Sequence, residues 1–85
     1  MIMDYERQYP NRLRVIRQNT GYQQQQVAKL LGVKNVVSIC QWENENTMPS
    51  GINLIKLCIL YNKTPQELYP EYYQRIERSL FSEHQ

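Results

Sequence analysis

The sequence predicts an all-α fold of six helices, a five-helix unit followed by an additional C-terminal helix. Apolar residues recur at helical spacing along most of the chain, and nothing alternates long enough to make a useful strand, because Val36-Val37 falls inside a helical pattern. Glycine or asparagine follows the second and fourth periodic runs, and Asn, Ser or Thr precedes the third, fourth and fifth. With 85 residues the chain has room for one compact unit only.

Pro10 followed by Asn-Arg-Leu-Arg-Val-Ile-Arg-Gln suits a first helix with proline near its first position, ending before Gly21, with Tyr9, Leu13 and Ile16 inward. From Gln23 to Leu31 the apolar positions Val27, Ala28, Leu30 and Leu31 define a second helix, stopped by Gly32. Asn35 can cap a third, with Ile39 and Trp42 buried and Val36, Val37, Ser38 and Gln41 pointing elsewhere. The aperiodic stretch from Glu43 to Pro49 is a connection. Ser50 caps the fourth helix, Gly51 to Tyr61, and Asn62 is its left-handed stop. Thr64-Pro65-Gln66-Glu67 is a capping box opening a short fifth helix through Tyr69. Glu71 to about Ser82 forms a sixth, with Tyr72, Tyr73, Ile76, Leu80 and Phe81 on one apolar face.

Composition narrows the function. Hydrophobic residues at 41% and charged residues at 21%, with three Gly and four Pro, argue against disorder and fibrous repeats. So small a chain hardly builds a deep, water-excluding cleft, and a single His84 near the end supplies no nucleophile and base pair, so no enzyme is expected. Cys40 and Cys58 match neither a disulfide framework nor a zinc-site spacing; both read as reduced thiols, with no metal and no cofactor. No signal peptide and no membrane-length apolar run stand in the sequence, so a cytoplasmic location is expected.

The net charge of +2 hides an asymmetry. Residues 1–42 hold six Lys or Arg against two acids, and residues 43–85 hold four against six. A polyanion partner suits the first half; the second suits a protein contact or plain solvation.

The order of residues resembles the Xre or phage-repressor/Cro class of helix-turn-helix proteins over roughly Asn11 to Tyr69. The resemblance rests on Arg17, Gly21, Gln24, Ala28, Leu31 and Gly32, then Ile39, Trp42, Glu43, Pro49, Leu54, Leu57 and Thr64 to Leu68. It implies a repressor-like fold with a DNA-binding domain at 10–69, preceded by a flexible segment at 1–9 and followed by a C-terminal helix at 70–85 that can dimerise. The class's usual glycine after Glu-Asn is Glu45 here, which adds a negative charge to that turn, and its frequent serine after Ile39 is Cys40. One extra residue between Gly32 and Ile39 leaves Lys34 or Asn35 as the cap of the third helix.

On helix-turn-helix geometry the third helix enters the major groove, and Lys34, Asn35, Val36, Val37, Ser38 and Gln41 become the candidate base readers. Gln41 can pair bidentately with adenine, Ser38 can use either base edge, and a valine can pack on a thymine methyl. The plain alternative is that Val36 and Val37 are core. Gln23 and Gln24 at the start of the second helix can hold a phosphate, Asn44 and Asn46 can grip the backbone, and Arg12, Arg14 and Lys34 supply salt-dependent attraction. Solvated surface is the plain reading of each. The resemblance further implies a partly buried structural ion pair between Arg17 and Glu43.

The fourth helix is apolar nearly all round: beyond Leu54, Leu57, Cys58 and Tyr61 it carries Ile52, Ile55, Ile59 and Leu60. These need cover, and Tyr73, Ile76, Leu80 and Phe81 of the last helix are available, from the same chain or, as favoured here, across a homodimer. The leading expectation is therefore a homodimeric, sequence-specific double-stranded-DNA-binding transcription regulator, a repressor by resemblance. The alternative is an antitoxin-like or adaptor module whose apolar C-terminal half binds a protein partner.

Overall fold

The computed structural model describes residues 8–82. The flexibility expected of the N-terminal segment falls mostly on residues 1–7, and His84 on the last three; both lie outside the described residues. The described residues form six helices and no strand: α1 (Leu13–Thr20), α2 (Gln24–Leu31), α3 (Val36–Glu43), α4 (Gly51–Tyr61), α5 (Pro65–Leu68) and α6 (Pro70–Ser82). The all-α class follows the sequence, as do five of the helices to within a residue or two.

The exception is the start of α1, which opens at Leu13 and not at Pro10. Asn11 explains the shift. Its Oδ1 accepts from the Leu13 N–H at 2.9 Å, while its amide donates to the Tyr9 and Trp42 carbonyls at 2.9 and 2.8 Å. An asparagine offering the backbone this local alternative ends one segment and starts another. Pro10 is buried just outside the helix.

The other ends obey local chemistry. Gly21 and Gly32 sit at φ 87° and 76°; an added Cβ would meet nothing within 4 Å at either, so the left-handed backbone, and not space, calls for glycine. Asn62 takes the same role after α4 at φ 54°. Ser50 Oγ accepts from the Asn53 N–H at 3.3 Å. Thr64 and Glu67 close a reciprocal box, each side chain accepting from the other's N–H, at 3.1 and 2.9 Å.

One core joins the first five helices: Leu13 and Ile16 of α1, Val27, Ala28 and Leu31 of α2, Ile39 and Trp42 of α3, Leu57 and Tyr61 of α4, and Leu68 and Tyr69 at the end of α5. Leu57 is 1% exposed, and truncating so buried a leucine to alanine costs about 2–5 kcal/mol. Leu30, an apolar position in the α2 pattern, lies 58% exposed: Val27, Ala28 and Leu31 already fill the inner face of this two-turn helix. The Arg12 N–H bonds to the Leu68 carbonyl at 2.9 Å, closing the chain's start onto α5.

The last helix stands apart. Its first turn is anchored by Tyr72, which packs edge-on against Tyr9 and Tyr69 with ring centroids 5.4 and 6.3 Å away. Beyond that turn α6 buries no residue and does not cover α4. Ile52, Ile55 and Ile59 remain 64%, 60% and 75% exposed, and Tyr73, Ile76, Leu80 and Phe81 are also exposed. Leu60, grouped with the outer isoleucines from sequence, instead packs half-buried against the core.

Candidate nucleic-acid interface

The turn between α2 and α3 spans residues 32–35 and holds the two helices against each other. The Gly32 and Val33 N–H groups bond back to the Lys29 and Ala28 carbonyls at 3.1 and 3.0 Å, so α2 closes its own end before the chain turns. Asn35 settles the choice of cap. It is extended, and its Oδ1 accepts from the Val37 N–H at 2.9 Å.

With that cap fixed, the faces of α3 follow. Ile39, Trp42 and Glu43 turn inward. At 100° per residue the opposite face carries Val37, Gln41 and Asn44, and all three are exposed, as are Lys34 and Asn35 at the entrance. Val36, Ser38 and Cys40 flank the stripe half-buried. The two valines therefore divide: Val37, 55% exposed, is free to meet a partner, while Val36 is partly spent on packing. Asn35 already uses its oxygen on the cap, which leaves its amide hydrogens for a base or phosphate.

Beneath the surface lies a charged knot. Arg17 donates through Nε to Glu43 Oε2 at 2.5 Å and through Nη2 to Oε1 at 3.1 Å, with the Glu43 side chain 1% exposed. Gln24 Nε2 donates to the same Oε1 at 2.9 Å, and Arg17 Nη1 reaches the Tyr22 carbonyl at 3.0 Å. Three helices are thus tied at one buried carboxylate. The hydrogen bond to Glu43 holds the Arg17 guanidinium above its ordinary pKa, against the opposing effect of burial. Burial, reinforced by the Glu43 charge, pushes the nearby Tyr61 phenol up to about 12.

Arg14 lies on the rim of this knot, its Nε 3.6 Å from Glu43 Oε1 and its Nη2 donating to Asn44 Oδ1. Asn44 in turn donates to Cys40 Sγ at 3.4 Å. Arg14 and Asn44 therefore act as one unit at the C-terminal end of the exposed stripe. Gln23 is exposed at the start of α2, with its N–H held by Gln26 Oε1 at 2.7 Å. Gln24 has given one amide hydrogen to Glu43, so its part is at least half structural.

Arg12 is the site residue that the fold does not bring to this surface. It lies across α1 from Arg14, in a shallow groove with Val15, Asn19, Tyr61, Lys63 and Glu67.

The turn after α3 rests on two residues whose roles the sequence discloses only in part, Glu45 within it and Asn11 against it. The Glu45 N–H bonds to the Trp42 carbonyl and the Asn46 N–H to the Gln41 carbonyl, each at 3.0 Å, a paired closure that puts Glu45 at φ 67°. A glycine would sit there without strain; Glu45 is compensated because its Oε2 accepts from the Asn11 N–H at 3.1 Å. Asn11 was legible only as a helix-starting residue. In the fold it clamps the end of α3 from across the domain. Lys56, counted from sequence only as charge, closes α2 instead, donating to the Leu31 carbonyl at 2.8 Å.

A helix-turn-helix family model matches residues 13–68, well over half of the chain. The chain therefore belongs to the Xre/Cro-like helix-turn-helix family of DNA-binding proteins. No curated protein matches it. Among the described residues no helix is long and apolar enough to cross a membrane.

Proposed function

We propose that this protein is a sequence-specific double-stranded-DNA-binding transcription regulator, a repressor acting in the cytoplasm as a homodimer, with α3 inserted in the major groove. The carrying observation is the outward stripe of α3. Val37, Gln41 and Asn44 are exposed in one line on a helix whose opposite side is locked into the core by Ile39, Trp42 and the buried Glu43. A rigid helix with a free polar and apolar edge suits base readout. Gln41 is the bidentate adenine reader, Val37 packs on a thymine methyl, and Ser38 and the Asn35 amide add single contacts. Val36 borders them, and Lys34, exposed at the entrance of α3, adds a cation for the adjoining phosphate as well as lying beside the bases.

Phosphates would be met by Gln23 and Gln24 at the start of α2 on one side, and by Arg14, Asn44 and Asn46 on the other. This brackets the reading helix between two backbone contacts. Arg12 takes no part in this arrangement. The repressor role belongs to this proposal: an α3 seated in the major groove occupies the operator.

Selection of duplexes from a random pool, followed by anisotropy titration, tests the reading. An enriched palindrome with half-sites about one helical turn apart is expected, and Gln41→Ala should abolish its preference over random DNA. Enrichment of no sequence, with wild type and Gln41→Ala binding alike, would refute sequence-specific regulation.

A further inference from the structure

Two apolar seams of matched length stand uncovered on this chain. On α4, Ile52, Ile55 and Ile59 recur at i, i+3 and i+7; on α6, Tyr73, Ile76 and Leu80 do the same. That spacing is the a/d pattern of helices that pack on one another, and each seam is about 10 Å long. The Tyr72 anchor against Tyr9 and Tyr69 holds the first turn of α6, and beyond that turn the helix leaves the isoleucines of its own α4 exposed.

The receiving surface is concave. Ile55, Cys58, Ile59 and Pro65 line a shallow groove between α4 and α5, with Lys63 and Glu67 at its rim. A helix ridge bearing Ile76 and Leu80 fits such a groove better than a second convex α4 would. Charge agrees with the fit. Glu77 is the charged residue beside the α6 seam by helical angle, and Lys63 is the cation on the groove rim, whereas the Glu67 carboxylate is held in its capping box. The exposed surface also suggests an interface: the six seam residues and Phe81 are large apolar side chains each 42–75% exposed, more apolar surface than a soluble monomer ordinarily leaves in one place.

We infer that the occupant is a second copy of this chain, the two α6 arms exchanging across a two-fold axis so that each seats in the α4 and α5 groove of the other. This deepens the regulator reading and rests on it for its purpose, since a reciprocal clasp fixes the spacing of two reading helices. Both surfaces lie outside the α2, α3 and Arg14 face, so clasp and DNA contact are compatible.

Sedimentation of the full chain tests the clasp, with circular dichroism verifying the fold of each variant. Wild type is expected to be a dimer in the low micromolar range, and Ile59→Glu and Leu80→Glu, both exposed in the single chain, are expected to be folded monomers. Lys63→Glu and Glu77→Lys should each weaken the dimer about tenfold, and the two together should restore it. In a Cys40→Ser background, Leu80→Cys should give a disulfide to Cys58 of the partner subunit under mild oxidation, seen as a covalent dimer. A monomer at 100-fold higher concentration, a dimer indifferent to Ile59→Glu and Leu80→Glu, or a disulfide that closes within one chain would each overturn the inference. Duplex binding by the same samples separates the two claims. A monomer that binds DNA defeats the clasp alone, and a clasped dimer that binds none defeats the regulator reading alone.

Discussion

Arg17 and Glu43 form a two-pronged ion pair inside the domain, at 2.5 and 3.1 Å, with the carboxylate almost wholly removed from solvent. Deleting the acid would leave a cation 12% exposed with no equal partner. We expect Glu43→Ala to cost about 3–5 kcal/mol in urea unfolding, and the double change Arg17→Met with Glu43→Leu to cost less than either single change. Equal, additive losses would show that the pair is not coupled.

Glu45 holds a left-handed backbone that glycine adopts freely. Glu45→Gly removes about 1–2 kcal/mol of strain and loses the Asn11 contact, worth about 1 kcal/mol, so its stability should stay near wild type. Glu45→Ala keeps the strain and loses the contact. It should therefore be about 1 kcal/mol less stable than Glu45→Gly by thermal unfolding. Because the turn adjoins Asn44 and Asn46, which the proposed interface turns to phosphates, both changes should tighten duplex binding at low salt.

The Glu67 carboxyl is held below its ordinary pKa, chiefly by the hydrogen bond from the Thr64 backbone and then by Lys63. The folded state thus binds its proton less readily than the unfolded one. Its stabilising effect is present above the unfolded pKa of about 4.3 and lost as pH falls through the lower folded value. Melting temperatures across the range below about pH 5 should fall less steeply for Glu67→Gln than for wild type; an unchanged profile would remove Glu67 from the account.

Tyr69 is buried at 3% exposure, and its hydroxyl has no hydrogen-bond partner among the described residues. Burial raises its pKa accordingly. Tyr69→Phe removes an unsatisfied group while keeping the ring that packs on Tyr72, so stability in urea should hold or rise by about 1 kcal/mol. A loss of that size would mean that the hydroxyl has a partner after all.

These tests follow the boundary between what the sequence could disclose and what it could not. Helix ends were legible because their signals are local: Gly32, Ser50, Asn62 and the Thr64 box act within four residues of themselves. The start of α1 lies later than its proline suggests because Asn11 Oδ1 takes the Leu13 N–H while its amide is held by the Trp42 carbonyl, 31 positions away, a bond that no local signal announces. The α3 faces could be read from periodicity, but the division between Val36 and Val37 depends on how α2 and α3 meet. Arg12 and Arg14 look alike in sequence; only the packing of α1 sends one toward Asn44 and the other toward Glu67. Gln24 reads from the sequence as a phosphate-holding amide, and only the fold shows that it also binds the buried Glu43.

The most direct test of the central claim is anisotropy of the purified chain on duplex DNA across a salt series, with Arg14→Ala/Lys34→Ala and Gln41→Ala variants beside it. The account predicts a linear fall of log affinity with log salt, shallower by about two phosphate contacts in the double variant. Gln41→Ala should keep the slope and lose about 5- to 150-fold on the selected site, the equivalent of 1–3 kcal/mol for one bidentate contact. No binding at low salt up to tens of micromolar, where non-specific association is already expected, would contradict it.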